Sequence, residues 1–277
     1  MGPDRELQVL IDGQVVGRLR DERDLWSFEY TSDWLQNPDA YALSPHLPLQ
    51  QAALLDGAST RPVQWYFDNL LPEEGQRSLL AHDASLDAAD AFGLLMHYGE
   101  ESAGSLVLRP VEPTRRADIA DGLRALPDEL LATRIRQLPR IPLTHGASKR
   151  MSMAGVQHKL AVVWRDGLLW EPGGGTPSTQ ILKPDHPDSD YPHSAINEWF
   201  VMQLAGRVGL LVPAVRRHYT PLPTYLVDRF DRHVVDGDCK VDRDTPVGDS
   251  ARQNRFGNAH AIRRNQRPKR PVAGWQA

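Results

Sequence analysis

Cysteine is nearly absent: Cys239 alone gives the 277-residue chain no internal disulfide and no thiolate zinc site, a usage that fits a reducing compartment. Long apolar runs are missing too, none approaching the roughly 18 residues that a spanning helix needs. The opening Met1-Gly2-Pro3-Asp4-Arg5-Glu6 has no signal-peptide pattern and no hydroxyl at the sixth position for myristoylation. The expectation is a soluble, cytoplasmic chain with no membrane partner. Also missing are a His-Glu-x-x-His zinc motif, a Gly-x-Ser-x-Gly nucleophile elbow, a Walker loop and a Gly-x-Gly-x-x-Gly fingerprint. Gly173-Gly174-Gly175 runs into Thr176-Pro177 and reads as a loop rather than a phosphate cradle.

A core is affordable from what is present. The AVILMFWYC fraction is 40%, and with 21 Gly the apolar share falls in the usual globular range. Net charge is −4, but residues 251–277 hold seven Arg or Lys and no acid, which leaves 25 basic against 36 acidic residues before them. That tail, with Arg263-Arg264-Asn265-Gln266-Arg267-Pro268-Lys269-Arg270, reads either as an incidental disordered end or as a cationic segment that attracts phosphate backbones.

Patterning divides the chain into four stretches. In residues 1–110, Leu7–Ile11 and Gln14–Leu19 flank an Asp12-Gly13 turn, Leu25–Tyr30 alternates as a third strand, and Val63–Leu71 has helical spacing that stops at Pro72. Leu94–Met96 continues the helical texture and Ser105–Arg109 returns to strand. Residues 110–145 carry five prolines, with one short helix from Pro127 that aligns Leu131, Ile135 and Leu138; 111–145 read as a connector. In 146–232, Lys159–Arg165 and Leu168–Trp170 flank Asp166-Gly167, and Thr179–Lys183 and Tyr225–Val227 are strands. Ser194–Gly209 is a helix with Ile196, Phe200, Leu204 and Val208 on one face. Residues 233–277 read as a loose basic end. The fold class is α+β: a small antiparallel sheet with helices, then a second sheet with one long helix.

The chemistry lies in an ordered series: a small-residue loop Ser152-Met153-Ala154-Gly155, a strand ending in Lys183, a helix bearing Glu198, and a strand running into Asp228-Arg229-Phe230. Protein kinases use this order, with a loop over the phosphates, a strand lysine that contacts them and a helix glutamate that holds the lysine. The same residues also read as a solvated strand-end cation and an exposed helix acid.

Ser152-Met153-Ala154-Gly155-Val156-Gln157-His158-Lys159 resembles, at every specified position, the Ser-x-Ala-Gly-x-Gln-x-Lys motif of the HipA family, the serine/threonine kinase toxins of bacterial toxin-antitoxin modules. Trp65–Arg77, with Leu70-Leu71-Pro72-Glu73-Glu74-Gly75, is similar to a segment of that family's amino-terminal domain. Ile181-Leu182-Lys183-Pro184, Asn197-Glu198-Trp199 and Arg229-Phe230-Asp231-Arg232 follow in the family's order. The resemblance covers about residues 5–232. It implies a kinase-like small lobe over 146–232 that uses ATP and Mg2+. Ser152 would be the autophosphorylated serine, and Ala154, Gly155, Val156 and Gln157 would form the mobile loop over the phosphates. Lys183 would contact those phosphates, with Glu198 as its partner by analogy with kinases generally. Backbone groups of Asp228, Arg229 and Phe230 would form the adenine hinge, with Asp228 where the family usually has Glu. The implied partners are a protein substrate and a HipB-like DNA-binding antitoxin, through which the protein would meet DNA indirectly.

The resemblance ends there. No Asp-x-His-x-Lys-Asn segment and no later magnesium-binding Asp follow Arg232, so no catalytic base and no metal ligand is identified. The expectation is a kinase truncated after its small lobe, inactive as written, that exposes apolar surface around Trp164, Trp170 and Phe230. The alternative is an inert remnant that binds the antitoxin as an interaction module; nucleic-acid binding by the tail ranks third.

Overall fold

Asp12 and Gly13 both take positive φ, 49° and 78°, and turn β1 (Arg5–Ile11) into β2 (Gln14–Glu22) where the sequence predicts a tight hairpin. The structure is a computed structural model that describes residues 4–102, 104–111, 122–235 and 238–241. After β3 (Leu25–Tyr30) comes α1 (Ser32–Gln36), whose cap Thr31 accepts a hydrogen bond from the Trp34 amide, and then the short β4 (Leu54–Leu55). Three helices follow: α2 (Pro62–Asp68), α3 (Glu74–Asp83) and α4 (Ala91–Tyr98). Strand β5 (Val107–Pro110) returns beside β1, completing an antiparallel sheet in the order β4-β3-β2-β1-β5. Phe28, Phe67 and Phe92 are fully buried between this sheet and the helices, with Trp26 edge-on to Phe92 at 5.1 Å.

The second sheet begins inside the stretch read as a connector. Strand β6 (Gly122–Ala125) pairs with β8, and α5 (Asp128–Arg136) packs Leu131 into the second core beside Leu126 and Leu143. Arg124 and Arg134 both bond the fully buried Glu171 carboxylate, so from Gly122 onward the chain is integral to the second unit. Strands β7 (Leu160–Arg165) and β8 (Leu168–Gly173) join through Asp166-Gly167 at φ 53° and 78°. Next come β9 (Gln180–Pro184), α6 (Ser194–Arg207), β10 (Val215–Tyr219) and β11 (Pro223–Asp228), in the sheet order β10-β11-β9-β7-β8-β6, antiparallel throughout. The chain is thus a mixed fold of two antiparallel sheets with helices.

The last described strands correct the reading of a loose end that starts at residue 233. β12 (Arg232–Val235) and β13 (Asp238–Val241) pair as a hairpin. Residues 242–277, including the basic cluster, lie outside the described residues. Among the described residues no helix is long and apolar enough to cross a membrane.

α6 forms where expected, but its apolar stripe is exposed. Ile196, Phe200, Val201, Leu204 and Val208 face solvent, and only Ala195 of the helix is buried. The helix is tied down by Trp199 under the Arg217 guanidinium, 4.1 Å from the ring centre, and by Glu198 on Lys183. Exposed apolar surface thus includes α6 and Phe230, while Trp164 and Trp170, expected to share it, are half-buried.

One buried carboxylate joins the two units. Glu101, between α4 and β5, accepts from Lys149 Nζ at 2.8 Å, Ser178 Oγ at 2.8 Å and Arg229 at 2.7 Å, with Arg232 at 3.5 Å. Arg229 also bonds Asp231 at 2.6 Å and the Gly104 carbonyl at 3.1 Å. Burial alone would raise the Glu101 carboxyl, but Lys149, Arg229 and Arg232 together hold it down to about 2, against an ordinary 4.5. A depressed native pKa gives stability that is present above pH 4.5 and lost as pH falls toward 2. Glu101→Ala, which leaves the buried Lys149 ammonium without its carboxylate and Arg229 and Arg232 with Asp231 alone, is expected to lower the unfolding free energy at pH 7 by about 3–5 kcal/mol. In urea titrations that deficit should shrink as pH falls from about 4.5 to about 2.

Candidate functional site

Strand β9 presents Lys183 beside Tyr225 of β11, its cross-strand neighbour, and Lys183 Nζ donates to Glu198 Oε2 of α6 at 2.8 Å. The structure therefore brings together the strand lysine and the helix glutamate expected as its partner. Both side chains keep roughly a quarter of their surface in solvent, at 22% and 29% exposure, so the pair is open to a ligand.

The loop 152–157 lies packed between the two units. Met151 bridges to Glu101 and Gly155 to Pro72, each in parallel fashion. The Ser152 amide donates to the Glu101 carbonyl at 3.0 Å, and Ser152 Oγ donates to the Leu70 carbonyl at 3.4 Å. Ser152, Met153 and Ala154 are buried, while Val156 is exposed at the tip. Gly155 has φ +104°, and a Cβ there would approach Lys159 Nζ to 3.0 Å, so both conformation and space favour glycine. Lys159 Nζ donates back to the Ala154 carbonyl at 2.5 Å and closes the loop on itself. Burial and the nearby Lys183 charge hold the Lys159 ammonium down to about 8.

Two backbone donors of the expected hinge are engaged within the protein. The Asp228 amide donates to the Ala214 carbonyl and the Arg229 amide to the Thr179 carbonyl, each at 2.9 Å, so neither N–H is available to a base. The Asp228 carboxylate accepts from Arg216 at 2.7 Å and Gln180 at 3.1 Å. The Arg229 side chain turns away into the Glu101 cluster. Of the three hinge residues Phe230 alone presents an exposed side chain. Sequence reasoning missed Glu101, Lys149 and Ser178 altogether, because ion-pair partners 48 to 128 residues apart leave no local spacing signal.

The partly exposed Lys183 ammonium offers a positive charge to an anionic ligand. Among the described residues no group of three or more His, Cys, Asp or Glu could hold a metal ion.

Residues 7–109 match the family model described as the HipA N-terminal domain, and residues 151–257 match the HipA-like C-terminal domain. A Sinorhizobium fredii protein named "Putative kinase Y4mE" is 36% identical over 236 residues, 83% of this chain and 54% of that protein. A second from the same organism, "Putative kinase Y4dM", is 28% identical over 218 residues, 76% of this chain and 48% of its own length. A solved Shewanella oneidensis complex of toxin-antitoxin proteins HipA and HipB with operator DNA contains a chain with TM-score 0.64 and 28% identity, covering 85% of this chain and 53% of that one. The chain spans about half the length of the curated relatives it matches.

Because the Lys183–Glu198 pair is partly exposed, it adds little to stability. Glu198→Gln is expected to leave the unfolding free energy within about 1 kcal/mol of the parent in urea titrations; a larger loss would mark the pair as structural rather than ligand-facing.

Proposed function

We propose that this chain, which belongs to the HipA family, holds the nucleotide-gripping part of an ATP-dependent protein serine/threonine kinase toxin. The observation that carries the reading is the partly exposed Lys183–Glu198 pair at 2.8 Å on the second sheet. Glu198 fixes the lysine's rotamer, and the ammonium then meets a phosphate as a positioned charge rather than a mobile one. Ala154, Gly155, Val156 and Gln157 would cover the phosphates after the loop leaves its seat against Leu70 and Glu101. No adenine-hinge role is carried by the Asp228 and Arg229 amides, which are spent within the sheet; Phe230, with its exposed ring, would lie against the base.

Ser152 is the proposed site of autophosphorylation. Its hydroxyl faces the Leu70 carbonyl in a buried seat. A phosphate there would carry close to two negative charges into a space bounded by carbonyl oxygens, near the Glu101 backbone, and repulsion together with desolvation would expel the loop. Phosphorylation would thus separate Gly155 from Pro72 and remove the cover from the nucleotide.

Magnesium, the base that accepts the hydroxyl proton and the protein substrate are assigned to no described residue, and phosphoryl transfer depends on all three. The described part therefore supports nucleotide binding more directly than turnover. A HipB-like DNA-binding antitoxin is the proposed partner, supported by the solved HipA–HipB–operator complex to which this chain is similar.

Titration calorimetry of the full chain with ATP tests the reading. Saturable binding is expected, weakened at least about tenfold, roughly 1.4 kcal/mol, by Lys183→Met. Equal affinity in parent and variant would remove Lys183 from the site.

A further inference from the structure

Lys183, Tyr225 and Arg217 stand side by side across three strands. In the antiparallel register Lys183 of β9 opposes Tyr225 of β11, and Tyr225 opposes Arg217 of β10. Directly opposed residues of antiparallel neighbours share a sheet face, so the three form one row. Helix α6 packs against the same three strands and sets two consecutive residues on the ends of that row. Glu198 accepts from Lys183 Nζ at 2.8 Å, and the Arg217 guanidinium lies over the Trp199 ring at 4.1 Å. Tyr225, 2% exposed, fills the middle, its ring centre 5.8 Å from Lys183 Nζ.

Apolar packing does little to fix this helix. The buried cluster of the second unit contains no α6 residue, Ala195 alone of the helix is buried, and Met202 and Ala205 are half-buried. The Ala195 amide donates to Asp185 at 2.8 Å, and Ser194 Oγ accepts from the His186 amide at 2.7 Å. Those bonds fasten the first turn but not the roll of the helix beyond it. Residues 198 and 199 project about 100° apart around the axis, so contacts at both resist roll in either direction. Without the ring contact at Trp199, the Glu198 carboxylate depends on the lysine it is meant to orient.

We infer that Arg217 and Trp199 are positioning residues: their contact sets the roll of α6 so that Glu198 reaches Lys183. Neither touches the lysine, and both act through the helix. Tyr225 is the floor between the two contacts and keeps Lys183 on the α6 side of the sheet. The geometric claim stands whether or not ATP binds; its consequence for affinity rests on the nucleotide reading.

Nitrogen NMR of the full chain, labelled at Nζ of its five lysines, tests the inference at Lys183. Glu198→Ala marks where the Lys183 resonance lies without its partner. Arg217→Gln and Trp199→Leu are expected to move the resonance toward that position, and Trp199→Phe, which keeps a ring under the guanidinium, to move it less. Arg217→Gln added to Glu198→Ala should move it no further, because the effect passes through Glu198. In titration calorimetry with ATP, Arg217→Gln should weaken binding about two- to fivefold, again with no further loss on the Glu198→Ala background. A Lys183 resonance unmoved by Arg217→Gln would overturn the inference, as would an effect of Arg217→Gln that persists undiminished in Glu198→Ala. A moved resonance in a chain that binds no ATP would uphold the positioning role and remove the nucleotide reading instead.

Discussion

The buried carboxylate of Glu101 is the constraint on which the arrangement depends. It is 3% exposed and contributed by the first unit, and every cation it binds comes from the second: Lys149 before the Ser152 loop, and Arg229 and Arg232 after β11. Two carboxylates, Glu101 and Asp231, face three cations, and the neutral donor Ser178 fills the remaining acceptor site. Such a cluster is costly to desolvate and more costly to break, so it favours one relative placement of the two sheets over the many that apolar packing alone would tolerate. Both ends of the candidate site are fastened to it: the Glu101 backbone holds Ser152, and Arg229 anchors the chain where β11 ends.

From this follows a division between rigid and releasable parts. Lys183 and Glu198 lie on a strand and a helix and need no rearrangement to meet. The loop between Met151 and Lys159 depends instead on backbone contacts with the first unit and on the Lys159 turn-back, each a modest interaction on the protein scale. A single added charge is comparable in free energy to those holdings, so the modification proposed at Ser152 would act on the loop and leave the Lys183–Glu198 pair in place. The exposed stripe of α6 belongs to the same logic, because the helix is held by Glu198 and Trp199 and leaves Phe200 and Leu204 unpacked.

Local chemistry was legible in the sequence to the extent that it was local. Asp12-Gly13 and Asp166-Gly167 placed two hairpins because a tight turn needs positive φ at both positions. Helical spacing placed α6 but not its exposure, since periodicity says which residues share a face and nothing of what covers it. Edge strands β6 and β10 escaped notice because Gly-Leu-Arg-Ala and Val-Arg-Arg-His-Tyr are short and charged, as unpaired edges commonly are. Arg229 read as a hinge residue from chain order, while its side chain answers to Glu101, 128 residues away.

The first unit holds the Ser152 loop through Glu101. Amide hydrogen exchange of the full chain at neutral pH measures this at one site, the Ser152 N–H, which donates to the Glu101 carbonyl at 3.0 Å. Protection comparable to the amides of β7 and β9 is expected. Exchange at Ser152 as fast as at the exposed tip residue Val156 would contradict it.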